Sequence, residues 1–132
     1  MLLRIILVIV ALISTGLFAP ACSTKIDERT VGRYVDESDS SGAFEIWPLG
    51  NCEAIESYSA MSPRRRAEGN TPDAAFGDCR VEGVTITMTI NQLLSSQDFG
   101  YPEFKGKTAI LTIVGDTLVT QSGRRFVKKG DH

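Results

Sequence analysis

The side chains best suited to catalysis or metal binding are three cysteines, Cys22, Cys52 and Cys79, and a single histidine, His132. The histidine lies at the C-terminus, where we expect a frayed chain end, so neither a Ser-His-Asp nor a Cys-His arrangement is available. With one imidazole and widely spaced thiols, the sequence also lacks a zinc-ligand set. We therefore expect no catalytic residue, no metal ion and no cofactor.

Carboxylate pairs are the remaining candidates for acid–base chemistry, because two carboxylates can hydrolyse a glycosidic bond. The pairs Asp36 with Glu37 and Glu53 with Glu56 fall in polar turns or alternating strands, where a solvated surface role is the usual one. No glycine-rich run follows a strand and opens a helix, as a phosphate-binding loop would require. The sequence thus predicts a protein that is not an enzyme.

A run of three arginines, Arg64, Arg65 and Arg66, stands in residues 61–78, which lack a periodic apolar pattern. We predict a long loop here, and such loops inside small domains are functional or mobile. One interpretation is that the arginines contact anionic lipid head groups or an acidic partner. The other is an ordinary solvated loop.

Aromatic side chains are concentrated in residues 98–104, which contain Phe99, Tyr101 and Phe104 together with Gly100 and Pro102. Two interpretations stay open: a recognition loop that binds a partner, or a plug over one end of the domain. We assign these three aromatic residues and the three arginines as candidate binding residues.

Residues 1–21 have the order of a secretory signal peptide. Arg4 supplies a positive start, residues 5–18 form an apolar run, and Ala19-Pro20-Ala21 offers small residues before a cleavage site. The run is short for the ~20 apolar residues of a membrane-spanning helix. An uncleaved N-terminal anchor helix is the alternative.

The stretch from Leu17 to Cys22, followed by Ser23, resembles the lipobox of bacterial lipoproteins. The resemblance implies that Cys22 becomes a lipidated N-terminus, which holds the protein on the periplasmic side of a bacterial membrane. Ser23 after the cysteine favours the outer membrane, and residues 22–30 are then a flexible tether. Ordinary cleavage, leaving Cys22 as a free thiol in a soluble periplasmic or secreted protein, is the alternative.

An odd number of cysteines in an exported protein requires one thiol with a separate use. If Cys22 carries lipid, Cys52 and Cys79 remain as a pair in an oxidising compartment. Closing the 27-residue loop between them would contribute about 3–4 kcal/mol. We predict a Cys52–Cys79 disulfide.

The rest of the chain alternates short β-type runs with turn residues, which predicts an all-β antiparallel meander, a small barrel or half-barrel of six to seven strands. The predicted strands cover residues 31–35, 43–47, 52–60, 81–90 (starting at Val81 or Val84), 107–114, 117–121 and 124–129. Gly115 suits a type II′ hairpin turn, and Gly123 can supply the positive φ of the next turn. One domain over residues 31–129 and a disordered tail at 130–132 follow.

This layout resembles the lipocalin-like β-barrel domains of small bacterial envelope lipoproteins. The features that carry the resemblance are Gly32-Arg33-Tyr34 at the start and the closing stretches 114–119 and 122–129. Such barrels share no single activity.

Strict alternation in residues 84–90 places apolar side chains on one face and threonines on the other. We expect a buried set and a solvent-facing set of threonines at positions 85, 87 and 89. The expected buried side chains are Phe44, Ile46, Val84, Ile86, Met88, Ile90, Ile110 and Leu118.

Function is predicted at the level of class: a binding module for a partner protein or small ligand, acting through residues 61–78 and 98–104. The alternative is an inhibitor or immunity lipoprotein against a cell-wall-degrading enzyme. The formal net charge of −2 falls to −3 once Arg4 is removed, which would steer the domain weakly towards a basic target. An acidic, exported protein is a poor match for nucleic acid.

Overall fold

The computed structural model describes residues 25–94 and 99–130. The predicted signal peptide, the predicted lipidation site at Cys22 and the residue His132 lie outside the described residues. Within them the chain forms eight strands and one short helix. The elements are β1 (Gly32–Asp36), β2 (Ala43–Ile46), β3 (Asn51–Ile55), α1 (Pro63–Ala67), β4 (Ala74–Glu82), β5 (Thr85–Leu94), β6 (Thr108–Val114), β7 (Thr117–Thr120) and β8 (Arg125–Gly130). Two 3-10 helices cover Tyr58–Ala60 and Pro102–Phe104.

The strands form a closed antiparallel barrel in which each strand pairs with its neighbours in sequence and β8 pairs with β1. The all-β barrel prediction is therefore confirmed, with eight strands instead of six or seven. The missed strand is β4, whose first residues fall in the predicted 61–78 loop. Its inward positions are occupied by Ala75, Gly77 and Cys79, which are buried but too small to give a hydrophobic alternation.

The prediction of buried residues is confirmed where the alternating pattern falls within paired strands. Phe44, Ile46, Ile86, Met88 and Leu118 are fully buried. Ile90 is half-buried, while the threonines at 85 and 89 are exposed and the one at 87 is half-buried.

Two predicted core residues are wrong. Val84 is 59% exposed because it belongs to the turn between β4 and β5. Ile110 is 38% exposed because its neighbours Ala109 and Leu111 face inward on β6, and alternation turns Ile110 outward.

The barrel interior is filled by its own side chains. Phe44, Phe104, Phe126 and Tyr101 are fully buried, and the Phe44–Phe104 and Tyr101–Phe126 ring centroids are each 5.6 Å apart. An eight-stranded barrel is just wide enough for such a packed interior. The barrel interior is therefore a packed hydrophobic core.

Up-and-down connectivity gives the barrel two distinct ends. The N-terminal end is where β1 begins, and it carries the tight turns at residues 47–50, 83–84 and 115–116. The plug end carries the longer connections at residues 37–42, 56–73 and 121–124 and the described residues 99–107.

The packed part of the chain includes Ile26, which was predicted to lie in the flexible tether. Ile26 is 6% exposed and belongs to the core, and its backbone N–H donates to the Pro48 carbonyl at 2.9 Å. The predicted tether therefore includes too many residues, because the buried Ile26 side chain holds this part of the chain against the N-terminal end of the barrel.

The Cys52–Cys79 disulfide is present, with its Cα atoms 6.0 Å apart, so the pairing prediction is confirmed. It links β3 to β4, which are neighbouring strands in the barrel.

Candidate functional site

The plug end is closed by residues 99–104, whose aromatic side chains point into the barrel. Phe99 is 3% exposed, and Tyr101 and Phe104 are completely buried. Of the two interpretations of this segment, the structure supports the plug. The assignment of these side chains as contact residues is corrected, because burial removes them from any binding surface.

Tyr101 joins three parts of the plug end through its hydroxyl group. The hydroxyl donates to Asp36 Oδ2 at 2.7 Å and accepts the Ser57 N–H at 3.0 Å. Burial, above all, raises the pKa of Tyr101 above its usual value, so the phenol remains a neutral donor at physiological pH.

Arg124 completes this network on the solvent side. Its guanidinium contacts Asp36 Oδ2 and Glu103 Oε1, each at 3.1 Å, and lies 4.2 Å from the centroid of the Tyr101 ring. The Asp36 side chain is only 1% exposed, so its charge is compensated inside the protein.

Residues 56–73 form an excursion between β3 and β4 that is ordered by local capping. The Ser57 side chain accepts the Ala60 N–H of the 3-10 helix, and the Ser62 side chain accepts the Arg65 N–H of α1. Pro63 begins α1, a position that suits proline because it needs no N–H donor there. The predicted loop thus contains a short helix that carries the three arginines.

Arg65 is a buried structural residue and not a solvated one. Its side chain is 4% exposed and forms an ion pair with Glu56, whose side chain has no exposure. The same guanidinium donates to the Thr71 carbonyl at 3.2 Å and lies 2.9 Å from Asp73 Oδ2. The Asp73 contact is ionic only, because that oxygen accepts no hydrogen bond of good geometry. The prediction of Arg65 as a binding residue is corrected accordingly.

Glu56 extends this buried pair to the plug. Its carboxylate accepts the backbone N–H groups of Asp73, at 2.8 Å, and of Gly100. The Arg65–Glu56 pair therefore fixes both ends of the excursion and the first residues of the plug in one arrangement.

Asp39 secures the excursion to the β1–β2 connection. Its side chain accepts the Ser41 N–H at 3.0 Å and the Ser59 N–H at 2.9 Å. These hydrogen bonds, led by the one from Ser41, hold the pKa of Asp39 well below its usual value, because they favour the charged form.

The outer side of the excursion brings one aromatic and one basic side chain together, which we call the Tyr58 surface: Tyr58 and Arg66. Tyr58 is 53% exposed, and the Arg66 guanidinium lies 5.9 Å from its ring centroid. Arg64 is exposed on the same short helix. Sequence reasoning missed Tyr58, because only the folded excursion brings its ring to Arg66.

A cleft of about 430 Å³ lies beside the plug. Its charged groups pair with each other: Arg125 Nε lies 2.9 Å from Glu37 Oε2, and Arg124 contacts Glu103. Within residues 25–94 and 99–130, no group of three or more His, Cys, Asp and Glu side chains could hold a metal ion.

Fold and site define a class: an eight-stranded up-and-down β-barrel with a filled interior, an aromatic plug at one end and an ion-paired excursion beside it. No protein-family model matches the chain, and comparisons with curated proteins and with solved structures also gave no match. No helix in the described ranges has the length and apolar character needed to cross a membrane.

Proposed function

We propose that the protein is a non-enzymatic, lipid-anchored module of the bacterial cell envelope that binds a partner protein through the Tyr58 surface. The observation that carries this proposal is the buried Arg65–Glu56 ion pair, which holds a solvent-facing excursion in one conformation. A surface segment fixed in this way loses little conformational entropy on binding.

The packed interior favours a protein partner over a small ligand. Apolar ligands bind in cavities, and here the barrel axis is occupied by Phe44, Phe104 and Phe126, which are fully buried. Recognition is then left to the outside of the barrel.

The chemistry of the Tyr58 surface fits a partner with carboxylate groups. Tyrosine and arginine are among the residues that contribute most to binding at protein interfaces. Within this surface, the Arg66 guanidinium is already oriented by the Tyr58 ring. Arginine forks bind carboxylates with two parallel hydrogen bonds, which gives orientation as well as affinity.

Membrane attachment is proposed from the leader and the lipobox-like stretch ending at Cys22. We propose acylation of Cys22 after export, with the domain on the periplasmic side of the outer membrane. Mass spectrometry of the mature protein from the membrane fraction tests this directly. An unmodified Cys22 in a soluble protein would favour the periplasmic or secreted alternative.

The binding proposal is tested by affinity capture from an envelope extract with the mature wild-type protein and two variants. The double change of Tyr58 and Arg66 to Ser removes the centre of the Tyr58 surface. Arg80→Ser is the matched control, because Arg80 is 79% exposed and lies on β4 away from the excursion. We expect a partner that is captured by wild type and Arg80→Ser but lost with the double variant. Identical partner lists from all three proteins would refute the proposed surface.

An inhibitor of a cell-wall-degrading enzyme is the second candidate, because a rigid excursion is also suited to occupying an enzyme cleft. A secreted hydrolase encoded by a neighbouring gene would be the first target to assay. Inhibition by wild type, together with loss of inhibition in the double variant, would favour this role over a housekeeping binder.

A further inference from the structure

Three exposed aliphatic side chains lie at the N-terminal end of the barrel, each in or beside a tight turn. Leu49 in the β2–β3 turn is 78% exposed, Val84 in the β4–β5 turn is 59% exposed, and Val114 before the β6–β7 turn is 53% exposed. Val84 and Val114 belong to adjacent connections, since the Ile113 N–H donates to the Val84 carbonyl at 2.7 Å. Leu49 lines one groove with Lys25 and Ile26, the first described residues.

The length of chain before Ile26 limits how far this end can lie from a lipid on Cys22. Four residue steps separate Cys22 from the buried Ile26. A fully extended chain of that length spans at most about 14 Å. A lipid chain on Cys22 therefore leaves no room for a folded partner between the N-terminal end and the bilayer.

We infer that the N-terminal end of the barrel lies on the phospholipid surface, with Leu49, Val84 and Val114 inserted among the lipid head groups. This inference rests on the proposed lipidation of Cys22 and adds an orientation that lipidation alone does not specify. The short chain between Cys22 and Ile26 brings the bilayer, and no other partner, to this end of the barrel. Aliphatic side chains at the tips of turns are suited to shallow insertion into a lipid surface.

Charge adds little to this contact, because basic and acidic side chains are mixed near the N-terminal end, where Lys25 and Lys129 are exposed together with Glu28 and Asp116. Two of the basic side chains also form ion pairs. Arg80 lies 2.8 Å from Glu82, and Arg29 lies 3.1 Å from Asp27. We therefore expect the contact to form on uncharged phosphatidylcholine vesicles and to change little with salt.

Trp47 is the only tryptophan, and it begins the turn that carries Leu49, so its fluorescence reports on this end. The test uses the acylated protein expressed from the full chain and reconstituted in phosphatidylcholine vesicles, with bromine at shallow or deep positions of the lipid tails. We expect strong quenching by shallow bromines and weaker quenching by deep ones. The variant Leu49→Ser, Val84→Thr, Val114→Thr should lose most of the shallow quenching. Leu94→Ser is the matched control, because it changes a 52% exposed aliphatic side chain at the plug end and should leave quenching unchanged.

Absence of quenching in the wild type, or equal quenching in the triple variant, would overturn the inferred orientation. Circular dichroism of each variant identifies any loss of fold. Failure of the proposed lipidation is separately visible as an unmodified mass at Cys22. In that case a maleimide lipid can be coupled to Cys22, since Cys52 and Cys79 are joined to each other. Shallow quenching in the coupled protein would then support the orientation, and its absence would refute it.

Discussion

Replacement of Arg65 by Met is the sharpest test of how the excursion is held. The substitution keeps an unbranched apolar stem but removes the guanidinium, which leaves the carboxylate of Glu56 buried without its counter-ion. Breaking one partner of a buried ion pair usually costs about 3–5 kcal/mol. Glu56 would keep two backbone N–H donors, from Asp73 and Gly100. We therefore expect the lower end of that range, about 3 kcal/mol.

The matched controls are the neighbours Arg64→Met and Arg66→Met. Arg64 is exposed, so we expect a change within about 0.5 kcal/mol. Arg66 would lose its contact with the Tyr58 ring, which at an exposed site contributes about 0.5–1 kcal/mol. The losses in unfolding free energy on replacing these three consecutive arginines by Met should thus differ severalfold.

Urea denaturation, followed by Trp47 fluorescence, measures these differences. With a slope of about 1–3 kcal/mol/M, a loss of 3 kcal/mol lowers the midpoint by about 1–3 M. Equal midpoints for Arg65→Met and Arg64→Met would refute the assignment of Arg65 as a buried structural residue. A double-mutant cycle with Glu56→Gln adds a second criterion. The double variant removes the buried Glu56 charge together with its cation, so that only Asp73 loses its ionic partner, and it should cost less than the sum of the single changes.

Three further predictions concern the same end of the barrel. Tyr101→Phe removes the donor to the buried Asp36 and should cost about 1–3 kcal/mol in urea denaturation; an unchanged midpoint would contradict this. Gly100→Ala should destabilise by about 1–3 kcal/mol, because an added Cβ would lie 2.2 Å from a backbone carbonyl oxygen of the excursion, whereas Gly106→Ala meets nothing nearer than 4.0 Å and should be close to neutral. Asp39 has a lowered pKa when folded, so its stabilising contribution is fully present above its unfolded pKa of about 3.8 and is lost as the pH falls through the lower folded value. Asp39→Asn should flatten the stability–pH curve in that acid range, and an unchanged slope would be evidence against the lowered pKa.

Local chemistry explains which parts of the fold could be predicted from the sequence. Gly115 and Gly123 were assigned to turns that need a positive φ, and their φ values are +60° and +93°. The Cys52–Cys79 pair followed from counting thiols. Each of these inferences depends on one residue type or on neighbours in sequence, so no knowledge of the tertiary structure was needed.

The errors at the plug end come from tertiary contacts that the sequence does not mark. Burial of Arg65 depends on Glu56 and on Thr71, and neither partner is marked by the arginine run. The Tyr101 ring is buried in the core, and its hydroxyl donates a hydrogen bond to Asp36, which lies 65 positions earlier in the chain. Aromatic composition alone could not decide between a recognition loop and a plug, since both require the same residues.

The two ends of the barrel are suited to different tasks, and the connectivity separates them. The chain enters beside Ile26 at the N-terminal end, while the excursion that carries Tyr58 leaves β3 at the plug end. The strand that leads from the N-terminal end to the excursion, β3, has five residues, which corresponds to about 12–14 Å along the axis of a tilted barrel. If the N-terminal end rests on lipid, the packed interior acts as a rigid spacer that holds the Tyr58 surface at that distance from the membrane. A partner with carboxylate groups would then meet the excursion in the aqueous space, where no lipid competes for the arginines.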